Sequence, residues 1–149
     1  MDIEMIRDAL QKEPEEAVSE LLGDVEEHYG EVPYILNFMK DMPELLISKI
    51  LYDNSIMREF KHMDPKTVEL ISIGVASALK CEHCLKMHMR VAKRLGIKKE
   101  EIFDAVLIGG TLSNAVVLAE GTRAIGEVLD GNEVCDEDCE VCRLSTCMD

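Results

Sequence analysis

The stretch DPKTVELISIGVASALKCEHCLKMH, residues Asp64 to His88, decides how this chain folds. Asp64 before Pro65 is a helix start. The acid can accept N–H bonds at the N-cap, and proline's fixed φ and missing N–H suit the first helical position. Val68, Leu70, Ile71, Ile73, Val75, Ala76 and Leu79 then make the helix apolar around most of its circumference, which predicts a place in the core. Glu69 stands inside that run, where an acid needs a reason to be. Next comes Cys81-Glu82-His83-Cys84-Leu85-Lys86-Met87-His88. At about 100° per residue, Cys81 and Cys84 differ by ~60° and Cys81 and His88 by ~20°, so the three project from one helical face. His83 points away from it.

These residue types in this pattern suit redox chemistry. Two cysteines three apart can close a disulfide within one helical turn. A helix beginning near residue 81 sets them against unpaired amides and the positive end of the dipole, which favours thiolate. The histidine can take a proton from one sulfur and return it to a leaving thiolate. Two other readings stay open: small core cysteines, or zinc held by Cys81, Cys84 and His88 with Glu69 or His83 as the fourth ligand. In one unbroken helix Glu69 would lie ~120° and about 18 Å from Cys81. A role for Glu69 as a partly buried base therefore requires the chain to turn near Lys80-Cys81. Otherwise it belongs to a solvated stripe with Lys66 and Ser72.

Outward from this stretch, helical periodicity continues and no segment reads as a strand, so the expected fold is an all-α bundle of about six to eight helices. Residues 2 to 11 can form a short helix. Pro14 opens a second, ended by Gly30, and Glu31-Val32-Pro33 is a connector. One or two helices fill 34 to 60. A helix from about Glu82 to Leu95 is closed by Gly96, followed by Lys99 to about Gly109 and Thr111 to Leu129. Gly109, Gly110, Ala115, Ala119 and Gly121 would allow close helix approach. His28 and His62 read as surface residues.

At 149 residues the chain is expected to form one domain, 1–131, that buries roughly 70% of its unfolded surface without disulfides. With 30 acidic and 16 basic side chains the formal charge is −14, which repels nucleic acid and anionic membrane. Met1 to Leu10 lacks the pattern of a secretory signal. Ala105 to Ala119, interrupted by Thr111, Ser113 and Asn114, reads as too short to span a bilayer. The expectation is a soluble, cytoplasmic protein, in which six cysteines point to redox chemistry or metal binding.

Glu69, eleven residues, Cys81, one residue, His83-Cys84, three residues, His88: this pattern resembles the signature of alkylhydroperoxidase D-like proteins of the carboxymuconolactone decarboxylase superfamily. The likeness runs from about Val32 to Leu129, with 1–30 as added N-terminal helices. It implies an all-helical fold assembled as trimers or hexamers. It also implies a proton relay in which Glu69, through water, and His88 deprotonate Cys84, supported by His83. Cys84 would attack a peroxide or receive electrons, and Cys81 would close the Cys81–Cys84 disulfide. A dihydrolipoamide-type dithiol or a thiol partner protein would reopen it, and this chemistry requires no cofactor. Decarboxylase members lack the cysteine pair, which argues against a lyase.

Residues 132–149 are an acidic tail that the family core does not include. Cys135, Cys139, Cys142 and Cys147 lie within thirteen residues. A short segment closes such loops at little entropic cost and could wrap zinc or an iron–sulfur cluster. The same thiols could instead pass electrons to Cys81 and Cys84, or have no specific function.

Overall fold

The structure, a computed structural model, describes residues 7–8, 11–58 and 62–131. Among them are six helices and no strand: α1 Pro14–Tyr29, α2 Tyr34–Phe38, α3 Pro43–Met57, α4 Pro65–Ala78, α5 Glu82–Arg94 and α6 Lys99–Leu129. The fold is all-α, as the periodicity predicts. The helix expected over 2–11 falls largely outside the described residues, and the cysteine-rich tail wholly so. The chain divides into two units, Met1–Gly110 and Thr111–Asp149.

In the first unit, proline opens α1, α3 and α4 at positions where its missing N–H costs nothing. Ala17, Val18, Leu21 and Val25 recur at helical spacing along α1 and meet Leu36, Leu46 and Ile50 in one core cluster. A second cluster joins Ile73 of α4, Ala92 of α5, Ile97 and Ala105. Full burial of side chains such as Leu21, Leu46 and Ile73 contributes roughly 1.5–3 kcal/mol each. α5 packs along α4 and also against α1, which in turn packs on α3.

Two turns set the hairpins around α5. After α4, Lys80 takes φ 55°, its N–H bonds Ser77 O, and the Cys81 N–H bonds Ala76 O at 2.9 Å. After α5, Gly96 at φ 70° repeats the pattern, with Ile97 N–H on Ala92 O at 3.0 Å. Both are Schellman closures, which need a left-handed residue just past the helix. Glycine supplies it freely at 96; lysine adopts it at a cost at 80.

Two expectations change. The break expected at Gly109–Gly110 is absent, because α6 runs continuously from Lys99 to Leu129. Gly109 instead serves a close crossing: a Cβ built on it would lie 2.2 Å from the carbonyl oxygen of Gly74 in α4, whereas Gly110 and Gly121 face open space. Helix α4 is also not covered all round. Val68, Glu69, Ile73 and Ala76 are buried, but Ile71, Val75 and Leu79 form an exposed stripe at i, i+4, i+8. Helix α5 packs along it and α6 crosses it at Gly74, and the Ile71, Val75, Leu79 stripe is left open.

In the second unit the described residues, 111–131, are helical through Leu129 and turn at Gly131. Leu112, Val116, Val117, Leu118, Ile125, Val128 and Leu129 are all exposed. By length and composition α6 could cross a membrane: it has 31 residues and an 18-residue window of mean hydropathy 1.8. The shortness expected from Ala105–Ala119 does not hold once the helix is continuous.

Candidate functional site

The left-handed turn at Lys80 does what a role for Glu69 requires: it folds α5 back along α4. Glu69 and His88, nineteen residues apart in sequence, meet at 2.8 Å between Oε2 and Nδ1. Both are buried, at 5% and 9% exposure. A carboxylate taken out of water is costly unless it is hydrogen-bonded, and this contact supplies the bond. A carboxylate only accepts, so Nδ1 carries the proton and Nε2 is left as the basic nitrogen. The solvated-stripe reading of Glu69 is excluded by its burial.

Cys81 is the N-cap of α5, its Sγ accepting the Cys84 N–H at 3.3 Å, and the two cysteines are joined by a disulfide. The Cα atoms are 5.3 Å apart, within the ordinary range for a bridge. When the bridge is open, the same amide and the positive end of α5 stabilise a thiolate at Cys81. Cys84 and His88, at i and i+4, are neighbours on one face, with Cβ atoms about 5–6 Å apart.

Cys84 and His88 line a cavity of about 470 Å³. Most of its wall is apolar, from Val25, Pro33, Leu36, Ile50, Met57 and Met87 among others, with Tyr29, Asp53, Asn54, Arg58 and His83 as polar points. Cys81 is not among its lining residues. His83 is half-exposed, with Nδ1 3.7 Å from Glu31 Oε1 in the connector after α1. Arg90 holds the same carboxylate at 2.7 Å, and that hydrogen bond keeps the Glu31 carboxyl below its usual range. Of the five residues expected at the site, His83, Cys84 and His88 line the cavity, Glu69 bonds His88, and Cys81 is joined to Cys84.

Several residues around the site carry no motif of their own. Tyr29, the last residue of α1, packs edge-to-face on His88, with ring centroids 6.0 Å apart and planes at 83°. Arg58 lies over the Tyr29 ring, 5.1 Å from its centroid, and ion-pairs with Asp24 at 3.0 Å. Arg94 donates to the carbonyls of Glu27 (2.7 Å) and His28, closing the end of α1. His28 is half-buried, not the surface residue expected. Burial first, then the Arg58 and Arg94 charges, push its pKa down to about 4. Helical spacing within one segment cannot reveal such contacts. Among the described residues no group of three or more His, Cys, Asp or Glu is placed to hold a metal ion. The four tail cysteines lie outside those residues.

A family model, the carboxymuconolactone decarboxylase family, matches residues 50–120. The chain is also similar to a protein of Paracoccus denitrificans named "Uncharacterized protein 4 in cox locus", at 27% identity over 86 residues, 58% of this chain and 71% of that one. No solved structure gives a significant match. The match to the carboxymuconolactone decarboxylase family model thus spans the segment that carries Glu69, Cys81, His83, Cys84 and His88, and it is consistent with the alkylhydroperoxidase D-like signature there.

Proposed function

We propose that the protein is a thiol–disulfide oxidoreductase acting as an alkylhydroperoxidase or a disulfide reductase. The observation that carries this reading is the buried Glu69–His88 pair, which leaves the basic nitrogen of His88 one helical turn from Cys84 in a shared cavity. In the reduced enzyme His88 takes the Cys84 proton while Glu69 stabilises the imidazolium. With a hydroperoxide, the Cys84 thiolate attacks the distal oxygen. The O–O bond breaks, the alkoxide takes a proton from His88, and Cys84 becomes a sulfenic acid. The Cys81 thiol then gives up its proton as its sulfur attacks the sulfenic sulfur of Cys84; the S–O bond breaks, the hydroxide takes that proton and leaves as water, and the Cys81–Cys84 disulfide forms. A dithiol of the dihydrolipoamide type, or a thiol partner protein, reduces the bridge: its two sulfurs become a disulfide, and both cysteines regain protons.

Exposed apolar residues support assembly as a trimer or hexamer: Ile71, Val75 and Leu79 in the first unit, and Leu112, Val116 and Val128 in the second. Shared burial of these faces is also why we read α6 as part of a soluble, cytoplasmic protein. In the tail, Cys135, Cys139, Cys142 and Cys147 are proposed ligands of zinc or an iron–sulfur cluster, which the Cys81/Cys84 chemistry does not need.

The test is turnover of peroxide and of a small disulfide by Cys84→Ser, which removes the nucleophile and should abolish both. Retention of more than a few per cent of either activity refutes the assignment. The family's decarboxylase members favour a second reading, a lyase using His88 and Glu69. It predicts that a Cys81→Ser, Cys84→Ser double variant keeps full activity on a lactone acid.

A further inference from the structure

We propose that Tyr29 is a positioning residue for His88, holding the imidazole plane so that its free nitrogen faces Cys84; this rests on the oxidoreductase reading above. One hydrogen bond fixes one point of a ring. The Nδ1 contact to Glu69 leaves His88 free to swing about that point, and a swing carries Nε2 away from the sulfur. A second contact is needed to fix the plane. The Tyr29 ring supplies it, standing at 83° to the imidazole at a centroid distance of 6.0 Å, within the range favoured by edge-to-face pairs.

Tyr29 can act as a stop because it is itself held. The Arg58 guanidinium sits over its face at 5.1 Å. Arg58 is in turn tied to Asp24 at 3.0 Å, the two side chains being only 13% and 18% exposed. The Tyr29 backbone lies between two fixed points: Arg94 grips the carbonyls of Glu27 and His28 just before it, and Gly30 turns into the left-handed region just after, its N–H on Glu26 O at 2.7 Å. A line of contacts therefore runs Asp24, Arg58, Tyr29, His88, Glu69, through three helices and the residue that caps α3. Tyr29 also borders the cavity that Cys84 borders. An aromatic side chain needed only for the α1 core would not have to meet the histidine edge-on.

The test uses the full chain, reduced, with Cys84 alkylation by iodoacetamide at pH 7 resolved by mass spectrometry, and nitrogen-15 NMR of the His88 ring. Tyr29→Leu keeps apolar bulk but removes the ring. A histidine released into its staggered rotamers spends a minor share of its time in the productive one, so alkylation should slow by about fivefold. The ring signals should report mixed tautomers in place of one. Tyr29→Phe, which restores the ring, should recover most of the rate and the single tautomer. If Tyr29→Leu lowers folding yield, Arg58→Met provides the second perturbation: Tyr29 stays but loses its support, and the same two signals should move in the same direction by a smaller amount. A folded Tyr29→Leu with wild-type alkylation and one tautomer overturns the proposal. Glu69→Gln and His88→Ala, run alongside, separate the two claims. If both are slow while Tyr29→Leu is not, only the positioning role fails. If neither is slow, the proton relay itself fails and the positioning role with it.

Discussion

Replacing Gly109 by alanine places a methyl group 2.2 Å from the carbonyl oxygen of Gly74 and 3.0 Å from its carbon. Ordinary contact needs about 3.5 Å, so α4 and α6 must separate at this crossing by roughly an ångström. The obstacle is helix backbone, which has no rotamer to change. Overpacking of this kind costs about 1–3 kcal/mol, against which alanine returns up to about 1 kcal/mol of helix propensity. The net expectation is a loss of up to about 2 kcal/mol. Gly110, one residue on, meets nothing within 4 Å, so Gly110→Ala keeps the propensity gain alone. The two variants share that gain and should therefore differ by the overpacking cost, about 1–3 kcal/mol. At roughly 3 °C per kcal/mol for a chain of this size, that is a gap of roughly 3–9 °C between the two melting temperatures. Circular dichroism melts at equal protein concentration, with Gly23→Ala as an open-space control in α1, measure it. A Gly109→Ala protein that melts at or above Gly110→Ala would refute the close crossing.

Stability should also report on His28 and on Arg94. The folded-state pKa of His28, about 4, lies below the ordinary histidine value of 6.5, so the unfolded chain binds the proton first. Its contribution is fully present above pH 6.5 and is lost as pH falls towards 4. Discounted for its half exposure, the loss is about 1–2 kcal/mol. Urea melts of wild type and His28→Gln at pH 7 and pH 4.5 should converge at the lower pH, and parallel curves would contradict this. Arg94→Lys should cost about 1 kcal/mol, since an ammonium cannot bridge the Glu27 and His28 carbonyls as the planar guanidinium does. An unchanged denaturant midpoint would show those bonds to be idle.

The sequence made the α4–α5 hairpin legible because its signals are local. Asp64-Pro65 caps one end, and the requirement that Glu69 reach the cysteines demanded a turn at Lys80. The continuity of α6 was hidden because a glycine pair inside an apolar run reads as a break; only the position of Gly74 on another helix explains Gly109. The cavity was equally hidden. Tyr29, Asn54 and Arg58 reach Cys84 and His88 across tertiary contacts 26 to 59 residues long, and no periodicity within a segment encodes such distances. His83 joins the two kinds of signal: its motif position puts it on the same cavity as Cys84 and His88, while its contact with Glu31 is a tertiary one that spacing does not encode.

The turn before Cys81 has a bearing on how often this centre can be cycled. The backbone around the cysteines is tied independently of the sulfur bridge, by Cys81 N–H to Ala76 O and Leu85 N–H to Cys81 O. The bridge spans a separation of three residues, a loop so short that opening it frees little chain, about 2 kcal/mol in the entropic account. At roughly 3 °C per kcal/mol, oxidised and reduced forms should then differ by only about 6 °C in melting temperature. In the proposed redox cycle the bond made and broken at sulfur is separate from the backbone hydrogen bonds that close this turn, so opening the bridge leaves those bonds available to hold it.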